Sequence, residues 1–207
     1  MGRRRGLFIS LEGPDGAGKS TQARLLAAAL RRAGQRVLLT KEPGGSKQSV
    51  PIRALVLDAK GALGPSAELL LFLADRAQHV QDTLKPALDS GALVLCDRYS
   101  DSTLAYQGGG RGFARPLLES LNHFASGGLK PDLTLLFDLD APRGLKRATR
   151  SGADRMEAAG LKFHARVRAE FLWLAKRQPR RIKVIQVKGK SRSEVQAEAW
   201  AHLERLL

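Results

Sequence analysis

The chain is poor in cysteine and in aromatic residues, and it has no long apolar run. Its one cysteine, Cys96, excludes an internal disulfide and any zinc cluster built from cysteines, as expected in a reducing intracellular setting. Aromatic residues make up 5% of the 207 positions, and the interleaving of aromatic and basic residues that marks a nucleic-acid reader is missing. The stretch Leu7–Leu11 (LFISL), which follows the charged start MGRRRG, is far too short for a signal-peptide core or a membrane span. The expectation is a soluble, cytoplasmic protein with no membrane and no specific nucleic acid among its partners. Acidic side chains are also in deficit: 35 Lys and Arg stand against 20 Asp and Glu, a formal charge of +15. Such a surface attracts nucleic acid electrostatically. A site that handles several phosphates also needs many arginines, and without a reader motif the second explanation is favoured.

What is present is the pattern of an α/β protein. The hydrophobic fraction is 43%, that of a folded chain. Strands are expected at Leu7–Leu11, Arg36–Lys41, Leu93–Cys96, Leu133–Asp138 and Ile182–Val187. The near-continuous apolar runs LVLC and LTLLF suit strands buried on both faces. Helical patterns lie between them, at Lys19–Ala33, Ser66–Ser90, Ala114–Phe124, Ala141–Arg150, Ala159–Gln178 and Ser193–Leu207. Ser191 and Glu194 have the spacing of a capping box, and Gly34 and Gly91 stand where helices should stop. This alternation implies a doubly wound, five-stranded parallel sheet flanked by helices. With no repeat or linker in sight, residues 1–207 read as a single domain, and the charged, glycine-bearing stretch 147–159 reads as a short lid within it.

Gly13-Pro14-Asp15-Gly16-Ala17-Gly18-Lys19-Ser20 matches G-x-x-x-x-G-K-[ST] between a predicted strand and a predicted helix, the context that gives the motif its meaning. Glycines let backbone N–H groups turn toward phosphate oxygens, and the helix N-terminus adds partial positive charge. Residues Gly13 to Thr21 are therefore the expected ATP cradle. Lys19 reaches the β/γ-phosphates, and the Ser20 hydroxyl ligates Mg²⁺.

Three further clusters bear on what receives the phosphoryl group. Asp97 and Arg98 follow the third strand, in a run continuing through Thr103, Tyr106 and Gln107. Ligands of open α/β sheets bind at strand C-termini, so Asp97 is a candidate for the Mg²⁺ shell and Arg98 for a bidentate clamp on an anionic acceptor. A salt bridge between neighbours is the plainer alternative. Glu42-Pro43-Gly44-Gly45 ends the second strand and by itself is no more than a tight turn. Phe72 and Arg76 share a helix face, where they can stack on a base and bond its edge, although Phe72 alone is more often plain core.

Together and in this order, these clusters resemble the thymidylate kinase family. EPGG after strand two, DRY after strand three, and Ala105–Gly112 (AYQGGGRG) carry the likeness over nearly the whole chain. The match is to the bacterial branch, whose catalytic arginine sits in the lid. The phosphate loop here holds Asp15 and no arginine, whereas the lid stretch holds Arg147, Arg150 and Arg155. The resemblance implies a P-loop nucleoside monophosphate kinase fold, transfer from ATP to dTMP with Mg²⁺ in dTTP biosynthesis, and a homodimer. It gives Asp15 to the deoxyribose 3′-hydroxyl, Glu42 and Asp97 (with Ser20) to Mg²⁺ and its waters, and Arg98 to the acceptor phosphate. Phe72 stacks on thymine, Arg76 bonds its O4, Thr103 and Gln107 meet the base edge, and Tyr106 crowds the 2′ position. Glu42 and Pro43 also border the dTMP site. Lys19, Arg98, Asp97 and a lid arginine, Arg150 in first place, form the catalytic set. The family usually has Arg where this chain has Lys41, and Thr where it has Ser46; a lysine cannot form the guanidinium fork.

Two other functions fit parts of the pattern. A deoxynucleoside kinase would use Glu42 or Asp97 as a base on a hydroxyl acceptor, but it leaves Arg98 without a role. A nucleic-acid-associated ATPase would explain the +15 charge but does not require the EPGG and DRY clusters. A GTPase would need an N-K-x-D stretch, and the sequence has none.

Overall fold

The computed structural model describes residues 5–58, 61–149 and 154–207. Five parallel strands form one sheet: β1 (Phe8–Glu12), β2 (Val37–Lys41), β3 (Leu93–Asp97), β4 (Leu133–Asp138) and β5 (Ile182–Gln186), in the order β2-β3-β1-β4-β5. The order reverses at β1, so the C-terminal ends of β1 and β3 flank the crevice where such sheets bind ligands. Ile9 of β1 lies beside Leu95 of β3 and Leu133 of β4.

Alternate side chains of the strands feed hydrophobic clusters on the two faces of the sheet. One face packs Ile9, Leu11, Leu95, Leu135 and Phe137 against α1 (Lys19–Arg32) and α9 (Arg192–Leu203). The other face is covered chiefly by α3 (Pro65–His79), α6 (Arg115–Ser126) and α8 (Leu161–Arg177), with Leu73, Leu118, Leu136, Phe163 and Phe171 in contact. Ser10 and Thr134 sit on this second face and satisfy each other at 2.7 Å. Ser191 closes the expected capping box with Glu194, and Gly34 and Gly91 adopt φ of 80° and 78° after their helices.

Three helical features are not legible in the sequence. A short helix, α2 (Val50–Leu57), follows the EPGG loop. The expected single helix over Ser66–Ser90 is interrupted: α3 passes through a π turn at Val80–Leu84 into α4 (Lys85–Asp89). Pro86 has no N–H to donate, and the wide turn just before it accommodates the missing bond. The DRY run also continues as helix, through α5 (Ser100–Thr103) and a second π segment, Leu104–Gly110. Its glycines are needed for packing, because a Cβ on Gly110 would sit 2.4 Å from the Phe163 ring of α8. The helix after β4 is α7 (Ala141–Ala148).

Candidate active site

The phosphate loop joins β1 to α1. Gly13 and Gly16 adopt φ of 138° and 71°, and a Cβ at either would lie 2.2 or 2.1 Å from a backbone oxygen, of Phe137 and Gly144 respectively. No side chain caps α1, whose N-cap is Gly18, so its first-turn N–H groups are left for a ligand. Lys19 curls over the loop and donates to the carbonyls of Gly13 and Pro14, both at 2.8 Å. Burial, followed by the nearby Arg98 charge, lowers the Lys19 pKa to about 8, against the pull of Asp15 and Asp97.

Asp97 ends β3 opposite Ser20. The Ser20 hydroxyl donates to Asp97 Oδ2, while Oδ1 is buried and has no hydrogen-bond partner among the described residues. This pair of hard oxygen donors at the mouth of a phosphate loop fits Mg²⁺.

Arg98 has φ of 72°, uncommon for a residue with a side chain. Its backbone is held from both sides, by the Leu11 carbonyl accepting the Arg98 N–H and by Cys96 Sγ donating to the Arg98 carbonyl at 3.0 Å. The turn throws the guanidinium back over the loop. There it pairs with Asp15, lies 4.9 Å over the Tyr106 ring, and reaches Ser102 Oγ at 3.3 Å. Asp15 also accepts from Tyr106 OH at 2.7 Å, with His164 Nδ1 at 3.6 Å. Burial opposes ionisation of Asp15, but Arg98, Lys19 and the Tyr106 hydroxyl outweigh it and hold the carboxyl below its ordinary value. Beneath them Glu12 is fully buried and accepts from Tyr99 N at 2.7 Å and Ser102 Oγ at 2.6 Å. Burial, then the Asp101 charge, raises its pKa to about 7.

Arg76 is buried against Glu42. Its Nε and Nη2 donate to Glu42 Oε2 at 2.9 and 2.8 Å, and its Nη1 donates to Thr103 Oγ1 at 2.8 Å and Asn122 Oδ1 at 2.5 Å. His79 takes the other Glu42 oxygen at 3.0 Å through Nδ1 and meets Thr40 Oγ1 at 2.8 Å through Nε2. Both Glu42 oxygens, expected near the metal, are therefore engaged in holding Arg76 and His79. Pro43 follows through a cis bond.

Two connected cavities result. The larger, about 1170 Å³, runs from Gly16–Thr21 past Asp97 to the β5–α9 turn at Lys190 and Arg192. The smaller, about 70 Å³, is lined by Phe72, Arg76, Thr103, Tyr106 and Gln107. Asp15, Glu42, Pro43 and Arg98 border both. The predicted donor and acceptor residues thus meet at one junction. Of the three arginines expected in a lid, Arg147 is exposed on the rim of the larger cavity, and Arg150 lies outside the described residues. Arg155 pairs with Glu68 of α3 at 2.6 Å and does not reach the phosphate loop. Glu12, Glu68, Asn122, His164 and the β5–α9 turn were not foreseen. They stand outside any functional motif; at the β5–α9 turn Gly189 adopts φ of 78° just before the Ser191 cap.

Residues 11–199 match the sequence profile of the family described as thymidylate kinase. A thymidylate kinase of Deinococcus radiodurans is 51% identical over 198 residues, spanning 95% of this chain and 96% of the relative. One from Trichlorobacter lovleyi is 47% identical, spanning 97% and 98%. The crystal structure of thymidylate kinase from Ehrlichia chaffeensis superposes with a TM-score of 0.80 at 35% identity, covering 97% of this chain and 99% of that one.

Proposed function

The chain belongs to the thymidylate kinase family and phosphorylates dTMP to dTDP with ATP, and we propose that it does so at the junction of the two cavities, with ATP in the larger and dTMP in the smaller. The observation that carries this assignment is the placement of Arg98, which borders both cavities beside Lys19.

The acceptor is already nucleophilic, because a phosphomonoester has a second pKa of about 6. No general base is needed. The barrier is the approach of two anions, and it is lowered by fixed charge and alignment. Lys19 and the loop N–H groups hold the donor. Arg98 turns from Asp15 to the acceptor phosphate, which frees Asp15 for the 3′-hydroxyl. Phe72 stacks on thymine, Arg76 and Thr103 face its O4, Gln107 meets its edge, and Tyr106 excludes a 2′-hydroxyl. Glu42 acts here as the anchor of Arg76. Ser20 and Asp97 would hold Mg²⁺, which when bound neutralises phosphate charge. Residues 147–159 form the lid, with Arg147 and Arg150 closing over the transferring group and excluding water.

The reducing setting suggested by a lone, buried Cys96 supports a cytoplasmic location. Exposed Leu70, Leu117 and Phe124, on the packed pair α3 and α6, support a homodimer, which light scattering would test. The activity is tested by coupled ADP release with dTMP, dUMP, AMP, thymidine and water as acceptors. dTMP should be strongly preferred, with dUMP behind by only about 10–200-fold, the range of one methyl group. Release driven by thymidine instead would show that the acceptor is a hydroxyl and that Arg98 is misassigned.

A further inference from the structure

Glu68 is fully buried on α3 and borders neither cavity. It nevertheless collects donors from two segments that line the smaller one. Its Oε1 accepts Gln107 Nε2 at 2.9 Å, and its Oε2 accepts Arg111 Nη2 at 2.8 Å and Arg155 Nη1 at 2.6 Å. Burial alone would favour the neutral acid, but these three donors reverse that and keep the carboxyl below its ordinary value. A carboxylate has no hydrogen to give. The nitrogen of the Gln107 amide must therefore face Glu68, and its carbonyl oxygen must turn the other way. Gln107 itself lines the cavity beside Arg76 and Thr103.

The second arm runs through Arg155. Besides Glu68, its Nε donates to the Val56 carbonyl at 3.0 Å. Its neighbours Asp154 and Met156 both line the smaller cavity. A guanidinium bound at two points fixes the backbone between those two lining residues.

We infer that Glu68 is a positioning residue for recognition of the base: it sets the Gln107 amide with its acceptor toward the pocket, and it clamps the Asp154–Met156 wall through Arg155. The inference rests on reading the smaller cavity as the dTMP site. Thymine offers an N3–H donor beside an O4 acceptor, whereas cytosine offers the reverse pair. Arg76 as donor and Gln107 Oε1 as acceptor match thymine and leave cytosine opposed by like groups. Arg155 is then the anchor of the lid stretch and does not touch the phosphoryl group.

The test compares steady-state kinetics of wild type, Glu68→Gln and Arg155→Met with dTMP and with dCMP. A glutamine at 68 carries an NH₂ that can face the Gln107 carbonyl, so the amide is free to turn. The ratio of kcat/KM for dTMP over dCMP should fall by about tenfold or more. Arg155→Met should raise KM for dTMP by about tenfold, with kcat at saturation lowered less than about threefold. Gln107→Leu removes the acceptor directly and should lower the same ratio, which keeps the question answerable if Glu68→Gln does not fold. A ratio unchanged in Glu68→Gln or in Gln107→Leu overturns the first arm. A loss in kcat rather than KM for Arg155→Met overturns the second and puts Arg155 on the phosphoryl group. A wild type inactive with dTMP removes the reading of the cavity, and this inference with it; an active wild type with unaltered variants removes only the inference.

Discussion

Arg98 and Asp15 form an ion pair at the boundary between the two cavities, one side chain from the end of β3 and the other from the phosphate loop. Neither is fully exposed, and each has a second partner, Ser102 for Arg98 and Tyr106 for Asp15. The pair is the rest position of two groups that dTMP is proposed to separate.

If Asp15 meets the 3′-hydroxyl once Arg98 has turned away, dTMP lacking that hydroxyl should be a poorer acceptor. A hydrogen bond to a charged group is worth about 1.5–3 kcal/mol, so kcat/KM should fall by about 10–150-fold. In Asp15→Ala the two acceptors should be used equally. Discrimination surviving in that variant would show that the 3′-hydroxyl is read elsewhere.

Lys19 must be charged to hold phosphate, and its pKa in the free enzyme is lowered to about 8. The kcat/KM for ATP should therefore fall about tenfold per pH unit above that value, since it reports the free enzyme. The limb in kcat should lie at higher pH, because bound phosphate stabilises the ammonium. A profile of kcat/KM flat to pH 10 would contradict this assignment.

Asp97 combines a buried oxygen without a partner among the described residues and an oxygen bonded to Ser20. Asp97→Asn can keep the Ser20 contact but loses the charge that suits a hard divalent cation. The Mg²⁺ concentration for half-maximal rate should rise by about tenfold or more, a shift of 1.4 kcal/mol or more, and EDTA should abolish turnover of the wild type. An unchanged Mg²⁺ requirement would move the metal site away from Asp97.

Glu12 titrates at about 7 in the folded chain against an ordinary value of 4.5. A carboxyl raised in this way contributes most below pH 4.5, and its contribution is lost as pH rises through 7. Chemical denaturation should therefore show wild type losing stability relative to Glu12→Gln between pH 4.5 and 7. A difference that does not change with pH would mean that Glu12 is ionised throughout.

The sheet was legible because buried parallel strands leave continuous apolar runs, as in Leu133–Phe137, and because the phosphate loop fixes where β1 ends and α1 begins. Local signals also placed the Ser191 cap. Less legible was what depends on contacts distant in sequence. Glu68 is one acidic residue in an amphipathic helix until Arg111 and Arg155 arrive from 43 and 87 residues away. The helix over Leu104–Gly110 was hidden by glycines that disfavour helix locally but let α8 approach. The family resemblance gave Glu42 a metal expectation, and only the fold brings Arg76 and His79 onto its oxygens.

The most direct measurement of the central claim is ADP release with saturating ATP and Mg²⁺ in wild type and Arg98→Ala, each with dTMP and with thymidine. In wild type, dTMP should drive the reaction and thymidine should not. In Arg98→Ala the rate with dTMP should fall by about 10²–10³-fold, the usual consequence of removing one donor aimed at developing charge, with ATP affinity retained. Thymidine matching dTMP in wild type, or an Arg98→Ala rate with dTMP within a few-fold of wild type, would contradict transfer to a phosphate held by Arg98.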